Sequence, residues 1–189
     1  TTINIRWHGV RRGTNAPLKV RPISETNVGC LRIFPGITAQ LLENFLRPPI
    51  RGVVIETFGA GNGPDNRPDL LKVLTDADAR GVVLVNCTQC HRGSVHASYA
   101  AGTAMSEAGL VTGMDMTPEA ALTKLAYLLS QETLTQDVIK RLMGTNLRGE
   151  LTEALPLQTF IPTDPFAEDA DARTDEMPEF HGMPSKSRR

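Results

Sequence analysis

The chain has almost no net charge and no long apolar run. Its 189 residues include 20 Lys and Arg against 21 Asp and Glu, which gives a net charge of −1. Because positive and negative charges nearly cancel, the composition argues against a nucleic acid or an acidic membrane surface as a partner. No stretch approaches the roughly 20 apolar residues of a membrane-spanning helix, and the first ten residues lack the apolar core of a secretory signal. We therefore expect no membrane and no nucleic acid among the partners.

Cysteine is also scarce, and the chain does not begin with methionine. There are three cysteines, and although Cys87 and Cys90 are close together they do not make a disulfide framework. A reducing, cytoplasmic location is therefore expected. Because the initial Met is missing, we expect a fragment or a processed product.

Motifs for nucleophilic or phosphate chemistry are missing as well. The sequence has no G-x-S-x-G elbow of an α/β hydrolase, and its glycine turn lacks the Lys-Ser/Thr pair of a P-loop. Ser94 and His96 are neighbours only in sequence, and no pair of carboxylates stands out. The residues themselves predict no catalytic centre, and no cofactor or metal is expected.

The sequence does contain, twice, a strand that runs into a glycine turn. Residues 52–63 read G-V-V-I-E-T-F-G-A-G-N-G, and residues 81–93 read G-V-V-L-V-N-C-T-Q-C-H-R-G. A helical stretch between them makes a βαβ pattern, and ligands of such sheets bind beyond the carboxyl ends of the strands. The two turns are therefore the first places to look for function.

Strands and helices alternate along the chain, which predicts an α/β fold. We expect a three-layer, flavodoxin- or Rossmann-like domain over residues 28–153, with a small four-stranded parallel sheet flanked by helices. Residues 1–27 are expected to form a basic, solvated linker or arm. Residues 154–189 are expected to form an acidic, Pro-containing flexible tail.

Short local signals place the individual elements. Strands are predicted at residues 28–34, 53–58, 82–85 and 110–112. Helices are predicted after Thr38, from Pro68, over residues 97–108, after Thr117 and after Thr135, with the threonines as N-caps. On the first helix the residues expected to share one apolar face are Leu41, Leu42, Phe45 and Leu46.

The glycine turn at residues 59–63 admits three interpretations. It fits a dinucleotide fingerprint only loosely, because the third glycine comes one residue early and Pro64 follows it. It also fits a tight turn that lets the backbone leave the sheet. In the third interpretation the glycines aim Asn62 outward, where its amide donates and accepts hydrogen bonds and suits an amino-acid ligand.

The segment C-T-Q-C-H at residues 87–91 is the second ambiguous motif. It matches the c-type haem attachment pattern, and its first part matches a thioredoxin-like redox pair. A zinc site would need further ligands, for which Cys30, His91 and His96 are available at an unusual spacing. The remaining interpretation is that Cys87 and Cys90 are small, soft core residues at a strand end.

Two charged residues lie near the strongest helix signal. Asp115 precedes the helix by a few residues, where a capping role is expected rather than a catalytic one. Lys124 lies within the helix and is expected to extend to the surface, with a buried amine as the alternative.

The ordered stretches together resemble a known family. G-V-V-I-E-T-F-G-A-G-N-G, V-V-L-V-N-C-T-Q-C and G-M-D-M-T-P-E-A-A-L-T-K-L-A-Y-L-L-S-Q, followed by N-L-R-G-E-L-T, are similar to the C-terminal domain of type I, cytosolic L-asparaginases. The resemblance is nearest to the mammalian-type members, which also carry a lysophospholipase label. It runs in order from about Val28 to Thr152.

The resemblance implies a division of labour. The family hydrolyses L-asparagine to L-aspartate and ammonia through a threonine nucleophile, without metal or cofactor, and its catalytic threonines lie in the N-terminal domain. The T-G-G-T-I and H-G-T-D-T segments that carry them do not occur in this sequence. The chain by itself is therefore expected to be inactive, with the N-terminal catalytic domain as its partner in a dimer or tetramer.

The resemblance also implies site residues. The family's G-A-G-N-G turn approaches the active site of a neighbouring subunit, so Asn62 is expected to help hold the amino-acid end of the substrate. Bacterial members bind a second asparagine as an effector, in a region that matches Thr88 and Cys90. Glu56 stands where those members tend to have Arg, and this reversal of charge removes a partner for the effector's carboxylate.

Two other hypotheses remain open. The chain fits a non-catalytic amino-acid-sensing module that uses the loop from Thr88 to Cys90. It also fits the asparaginase-like subunit of a tRNA-dependent amidotransferase, which predicts RNA binding through the basic arm. Nothing in these residues resembles a lipase elbow that would explain a lysophospholipase activity.

Overall fold

A parallel sheet and its helices account for most of the structure, which is a computed structural model. It describes residues 17–64, 66–90, 93–95 and 100–152, all within the first of two units of the chain, Thr1–Ala154. In this part the elements are, in order, β1 (Val28–Arg32), α1 (Ala39–Phe45), β2 (Gly52–Thr57), α2 (Pro68–Ala79), β3 (Val83–Thr88), α3 (Ala100–Glu107), β4 (Val111–Thr112), α4 (Pro118–Leu129) and α5 (Gln136–Met143). The predicted tail, residues 154–189, lies outside the described residues.

The four strands are parallel and follow chain order across the sheet, β1-β2-β3-β4. The register pairs Arg32 with Glu56 on β1 and β2, and Glu56 with Cys87 on β2 and β3. Each strand therefore ends at the same edge, which we call the carboxyl edge. The predicted four-stranded parallel sheet flanked by helices is confirmed.

Helices cover both faces of the sheet. On one face Val53, Ile55 and Leu84 pack against the crossover helices α1, α2 and α3 in a single apolar cluster. On the other face α4 lies across β1, β2 and β3, and α5 lies across β3 and β4. The central strands β2 and β3 are buried along their whole length, which explains their nearly continuous apolar sequences.

The predicted N-caps are confirmed. The hydroxyls of Thr38, Thr117 and Thr135 each accept a hydrogen bond from the backbone N–H three residues later. Such a bond satisfies one of the N–H groups that a helix start leaves unpaired. The predicted apolar face of α1 is wrong at Leu41, which is 46% exposed, whereas Leu42 and Leu46 are buried.

Lys124 is covered by the residues that follow α5 and fold back over α4, so the expectation of a surface lysine is wrong. Its Nζ donates hydrogen bonds to the carbonyl oxygens of Met143 and Thr145 at 3.1 and 2.6 Å. It also pairs with Oε1 of Glu150 at 2.6 Å. Burial lowers the pKa of Lys124, and the carboxylate beside it opposes that shift.

Glu150 holds this return in place. Burial raises its pKa, but the hydrogen bond from Lys124 and those from the backbone N–H groups of Leu147 and Arg148 outweigh burial and bring the pKa to about 2. Both backbone bonds are short, at 2.9 and 2.6 Å. We refer to residues 143–152, fixed in this way, as the return segment.

The arm is docked where it meets the domain. The backbone N–H groups of Ser24 and Glu25 both donate to Oγ of Ser130, the C-cap residue of α4, at 3.0 and 2.9 Å. The Glu25 carboxylate also pairs with Arg51 at 2.9 Å. Further from the domain, Leu18 is almost fully exposed.

Candidate functional site

A tight turn at the carboxyl edge presents Asn62. Phe58 and Asn62 form an isolated antiparallel bridge directly after β2, in which each backbone N–H bonds the other's carbonyl oxygen, at 2.9 and 2.8 Å. Gly59 and Gly61 have φ of 51° and 103°, values that side chains strongly disfavour. The tight-turn interpretation therefore holds for the backbone of residues 58–62, which we call the glycine turn.

Two side chains of β3 hydrogen-bond the backbone of the glycine turn, and one side chain of β2 bonds to the first of them. Nδ2 of Asn86 donates to the carbonyl oxygen of Gly61 at 2.9 Å, and the hydroxyl of Thr88 donates to that of Gly59 at 2.5 Å. The hydroxyl of Thr57 donates to Oδ1 of Asn86 at 2.6 Å. All three side chains are buried, so the turn rests on a polar network inside the sheet edge.

The Asn62 side chain is half-buried rather than simply aimed outward. Its Oδ1 is buried and has no hydrogen-bond partner among the described residues. Leaving a buried acceptor unpaired costs about 1–3 kcal/mol, and such groups in native proteins call for an explanation. A donor from a ligand or from another polypeptide would satisfy this oxygen.

A second feature of the carboxyl edge is a polar cleft of about 200 Å³. Its ionic lining comes from β1, β2, the segment before α4 and the first turn of α4, and consists of Arg32, Glu56, Asp115 and Glu119. Thr88 and Cys90 line it from the end of β3. We call it the edge cleft, and it brings together Thr88 and Cys90, which match the family's effector region, and Glu56, the residue at which this chain departs from that pattern.

Glu56 is already paired in the edge cleft. Nε and a terminal nitrogen of Arg32 both donate to its Oε2, at 2.7 and 2.5 Å, and the Cys30 thiol donates to its Oε1 at 3.2 Å. The register places the Arg on the neighbouring strand directly beside the Glu. The side chain of Arg32 remains 62% exposed, so its charge is accessible from the cleft.

The two carboxylates nearer α4 line the other side of the edge cleft. Oδ1 of Asp115 accepts from the backbone N–H of Thr152 at 2.7 Å, so the predicted capping role of Asp115 is wrong. Burial raises the pKa of Asp115, but the hydrogen bonds from Thr152 outweigh it and leave the pKa below its usual value. Glu119 lies in the first turn of α4, where its backbone N–H and the Thr117 hydroxyl lower its pKa.

The cysteine motif does not behave as a redox pair. Cys87 is fully buried within β3, and burial raises the pKa of its thiol to about 12, which disfavours the reactive thiolate. Cys90 is exposed beyond the strand, so the core interpretation holds for Cys87 alone. His91 and His96 lie outside the described residues. Among the described residues, no group of three His, Cys, Asp or Glu is placed to hold a metal.

Sequence reasoning missed two residues that organise the site. Asn86 appeared only as the polar end of V-V-L-V-N, and Arg32 only as part of a strand. A signal existed for both: a polar residue at the carboxyl end of a parallel strand, next to another strand's polar end, reaches the edge where ligands bind.

Known proteins are similar to this chain in both sequence and fold. Residues 27–143 match the family described as the glutaminase/asparaginase C-terminal domain. The chain is 55% identical over 137 residues to the 60 kDa lysophospholipase of Homo sapiens, and 48% identical over 136 residues to L-asparaginase 1 of Escherichia coli K12. These matches cover 72% and 71% of the chain but 24% and 40% of the two relatives. The chain thus spans less than half the length of either.

A solved structure has the same fold. The crystal structure of L-asparaginase I from Vibrio cholerae superposes with a TM-score of 0.69 at 45% identity, and the match covers 73% of this chain and 41% of that one. More distant relatives include a glutamyl-tRNA(Gln) amidotransferase protein of Methanobrevibacter smithii, at 34% identity over 84% of this chain and 36% of that protein. Within the described ranges, no helix is long and apolar enough to cross a bilayer.

Proposed function

The chain belongs to the glutaminase/asparaginase C-terminal domain family, and on this premise we propose that it is the C-terminal domain of an L-asparaginase. In this proposal an N-terminal catalytic domain hydrolyses L-asparagine to L-aspartate and ammonia. The present chain serves assembly of a cytoplasmic homo-oligomer and supplies Asn62 to the substrate site of a neighbouring subunit.

The observation that carries the proposal is the unpaired, buried Oδ1 of Asn62. Asn62 is mounted on a turn closed by two backbone hydrogen bonds, so the backbone loses little conformational freedom when the side chain turns this oxygen towards a donor. The α-ammonium group of an amino-acid substrate is such a donor, and a hydrogen bond to a charged group contributes about 1.5–3 kcal/mol. Asn62 would thereby orient the amino-acid end while residues outside this chain attack the amide.

A chimera tests the proposal. The matching 136 residues of E. coli L-asparaginase 1 are replaced by those of this chain, and ammonia release from L-asparagine is measured. We expect the chimera to be active and Asn62→Ala to lower kcat/KM by about ten- to a hundredfold, because one charge-assisted hydrogen bond is lost.

Asn66→Ala is the matched control, because Asn66 is exposed four residues further on and should change kcat/KM less than about twofold. The chain alone should release no ammonia. A chimera that assembles but does not hydrolyse asparagine, or one in which Asn62→Ala and Asn66→Ala behave alike, contradicts the proposal.

The edge cleft favours a second candidate function, binding of an amino-acid effector. One cleft contains an accessible guanidinium from Arg32 and the carboxylates of Glu56, Asp115 and Glu119. Opposite charges at its two sides complement a zwitterion, whose carboxylate would meet Arg32 and whose ammonium would meet the acids. Thr88 and Cys90 would then form the floor between them.

Titration calorimetry of this chain with L-asparagine tests the effector site. We expect saturable heat and a raised melting temperature, and about tenfold weaker binding for Arg32→Gln, which removes the charged donor. Arg47→Gln is the control, because Arg47 follows α1 at the opposite edge of the sheet. Absence of both heat and thermal shift would rule out this site for asparagine.

The amidotransferase interpretation has less support. The amidotransferase relatives are 34% identical or less, against 48% for the E. coli asparaginase. Most of the basic arm on which RNA binding would depend, including Arg6, Arg11 and Arg12, lies outside the described residues. No feature of the described carboxyl edge favours RNA over an amino acid.

A further inference from the structure

We propose that Asn86 is a positioning residue that sets the orientation of Asn62. The inference rests on the proposed function, since it concerns how the residue offered to the neighbouring site is held. Asn86 makes no contact with a substrate in this scheme. It acts through the backbone of Gly61, the residue immediately before Asn62.

Both ends of the Asn86 amide are engaged inside the sheet edge. Its Oδ1 accepts from the Thr57 hydroxyl at 2.6 Å, and its Nδ2 donates to the Gly61 carbonyl at 2.9 Å. Asn86 is 3% exposed, so water does not compete for these bonds. The result is a short chain of hydrogen bonds from β2 through β3 to the glycine turn.

The Gly61 carbonyl and the Thr57 hydroxyl together fix which way the Asn86 amide faces, because the carbonyl can only accept a hydrogen bond. A hydroxyl has one hydrogen to donate, and the closest acceptor to Oγ1 of Thr57 is Oδ1 of Asn86, nearer than the carbonyl oxygen of Cys87 at 3.2 Å. Nδ2 therefore faces the Gly61 carbonyl, and Oδ1 accepts from Thr57. The flipped amide would set two oxygens against each other at Gly61 and leave Nδ2 facing the Thr57 hydroxyl.

The hydrogen bond from Asn86 to Gly61 sets the orientation of the glycine turn relative to the sheet; it is not what closes the turn. Its own bridge between Phe58 and Asn62 closes it, but a closed turn can still tilt about the end of β2. Asn86 draws the Gly61 carbonyl into the sheet while Val95 packs against Gly61 from outside. Between these two contacts the backbone of the turn has one direction, and this backbone carries the half-buried side chain of Asn62.

Without Asn86, the turn is free to tilt until Oδ1 of Asn62 reaches water. Relief of an unpaired buried acceptor favours that movement. The network therefore fixes the backbone from which the Asn62 side chain would reach a neighbouring site, which is the usual role of residues that support a binding group from behind.

The first arm of the test uses this chain alone and measures backbone amide exchange by NMR. Asn86→Asp keeps the acceptor for Thr57 but replaces the donor to Gly61 with a second oxygen. We expect the amides of Gly61 and Asn62, both bonded to Phe58, to exchange about tenfold faster. Thr57→Val should produce a similar change without touching Asn86, and Thr57→Ser should restore protection.

Val83→Ala controls for general loss of stability. Val83 is buried at the amino end of the same strand, so its truncation weakens the sheet without altering the turn's hydrogen bonds. Exchange at Gly61 and Asn62 relative to that of the β2 amides should be unchanged in Val83→Ala and raised in Asn86→Asp. Equal ratios in the two variants overturn the inference.

The second arm uses the asparaginase chimera and separates KM from kcat. Asn86→Asp and Thr57→Val should raise KM for L-asparagine about tenfold, whereas Val83→Ala and Thr57→Ser should not. The Asn86→Asp defect should shrink as pH falls, because a buried carboxyl protonates readily and then donates to Gly61 as the amide did. A pH-independent defect overturns the inference.

The two arms distinguish the inference from the proposed function. If the chimera is inactive, the proposed function fails, and the exchange ratios alone decide whether Asn86 positions the turn. If the chimera is active but Asn86→Asp leaves both exchange and KM unchanged, the inference fails while the proposed function stands.

Discussion

Replacing Lys124 with alanine should destabilise the domain by about 3–5 kcal/mol, because it leaves the largely buried carboxylate of Glu150 without its charged partner. Glu150 would lose the Lys124 ammonium at 2.6 Å, and two carbonyl oxygens of the return segment would lose their donor. Urea unfolding of this chain, followed by circular dichroism, measures the change in the free energy of unfolding.

Lys72→Ala is the matched control for this prediction. Lys72 pairs with Asp76 at 2.7 Å, but both side chains are at least half-exposed, and such a pair contributes at most about 0.5 kcal/mol. Removing both partners of the buried pair with Lys124→Met and Glu150→Leu should cost less than Lys124→Ala alone. A loss in Lys124→Ala no larger than in Lys72→Ala contradicts the prediction.

The same pair makes stability depend on pH in the acid range. The folded pKa of Glu150, about 2, lies below the ordinary glutamate value of 4.5, so ionised Glu150 favours the folded state. This contribution is complete above about pH 5 and is lost as pH falls towards about 2. Lys124→Ala, which removes the main partner, should flatten the acid side of the stability curve.

The pair of Lys124 and Glu150 also affects the candidate effector site, because the return segment that it holds contacts that site. Thr152, at its end, donates to Asp115 at 2.7 Å, and Asp115 lines the edge cleft. A variant that releases the return segment should therefore also disturb that side of the cleft. Lys124 thus links the stability of α4 to the shape of a candidate effector site.

Local signals in the sequence sufficed to predict most elements. Each threonine cap marks its helix start within a few residues, and apolar runs bounded by Gly and Pro mark β2 and β3. The resemblance to the asparaginase family, which rests on motifs in the same order, then predicted which domain these elements form. These features depend on neighbours in the chain, which is why one sequence was enough.

Features that depend on distant residues were not predictable in the same way. Lys124 is buried because the return segment, some twenty residues later, folds back over α4. Asp115 binds Thr152 instead of capping a helix, again because of that segment. The pairing of Arg32 with Glu56 requires the strand register, which sequence periodicity does not fix across a crossover.

The candidate site shows the same division. The glycines of G-A-G-N-G indicated a tight turn, and the turn is there. The motif could not reveal that Asn62 Oδ1 is buried without a partner among the described residues, nor that Asn86 and Val95, from elsewhere in the chain, contact Gly61 beside it. The site is therefore a product of packing at the carboxyl edge rather than of the motif alone.

Gly61→Ala should destabilise this chain by about 3 kcal/mol, a loss comparable to that expected for Lys124→Ala. It should also abolish the contribution of Asn62 to substrate binding in the chimera. Gly61 has φ of 103°, and a residue with a Cβ loses roughly 1–2 kcal/mol in such a conformation. The added Cβ would also overlap Cγ1 of Val95 and lie 3.2 Å from Nδ2 of Asn86. Overpacking of this kind costs typically about 1–3 kcal/mol, so unfolding of this chain should show both contributions.

Gly36→Ala separates the two contributions. Gly36 has a similar φ of 88°, but nothing lies within 4 Å of the position its Cβ would take, so it should lose only the conformational part. In a Val95→Ala background the overlap at Gly61 is relieved, and the further cost of Gly61→Ala should fall towards that of Gly36→Ala. In the chimera, Gly61→Ala should reproduce the kinetic defect of Asn62→Ala, because the turn can no longer lie between Val95 and Asn86. Full activity in Gly61→Ala would mean that the direction of the glycine turn does not matter to the neighbouring site.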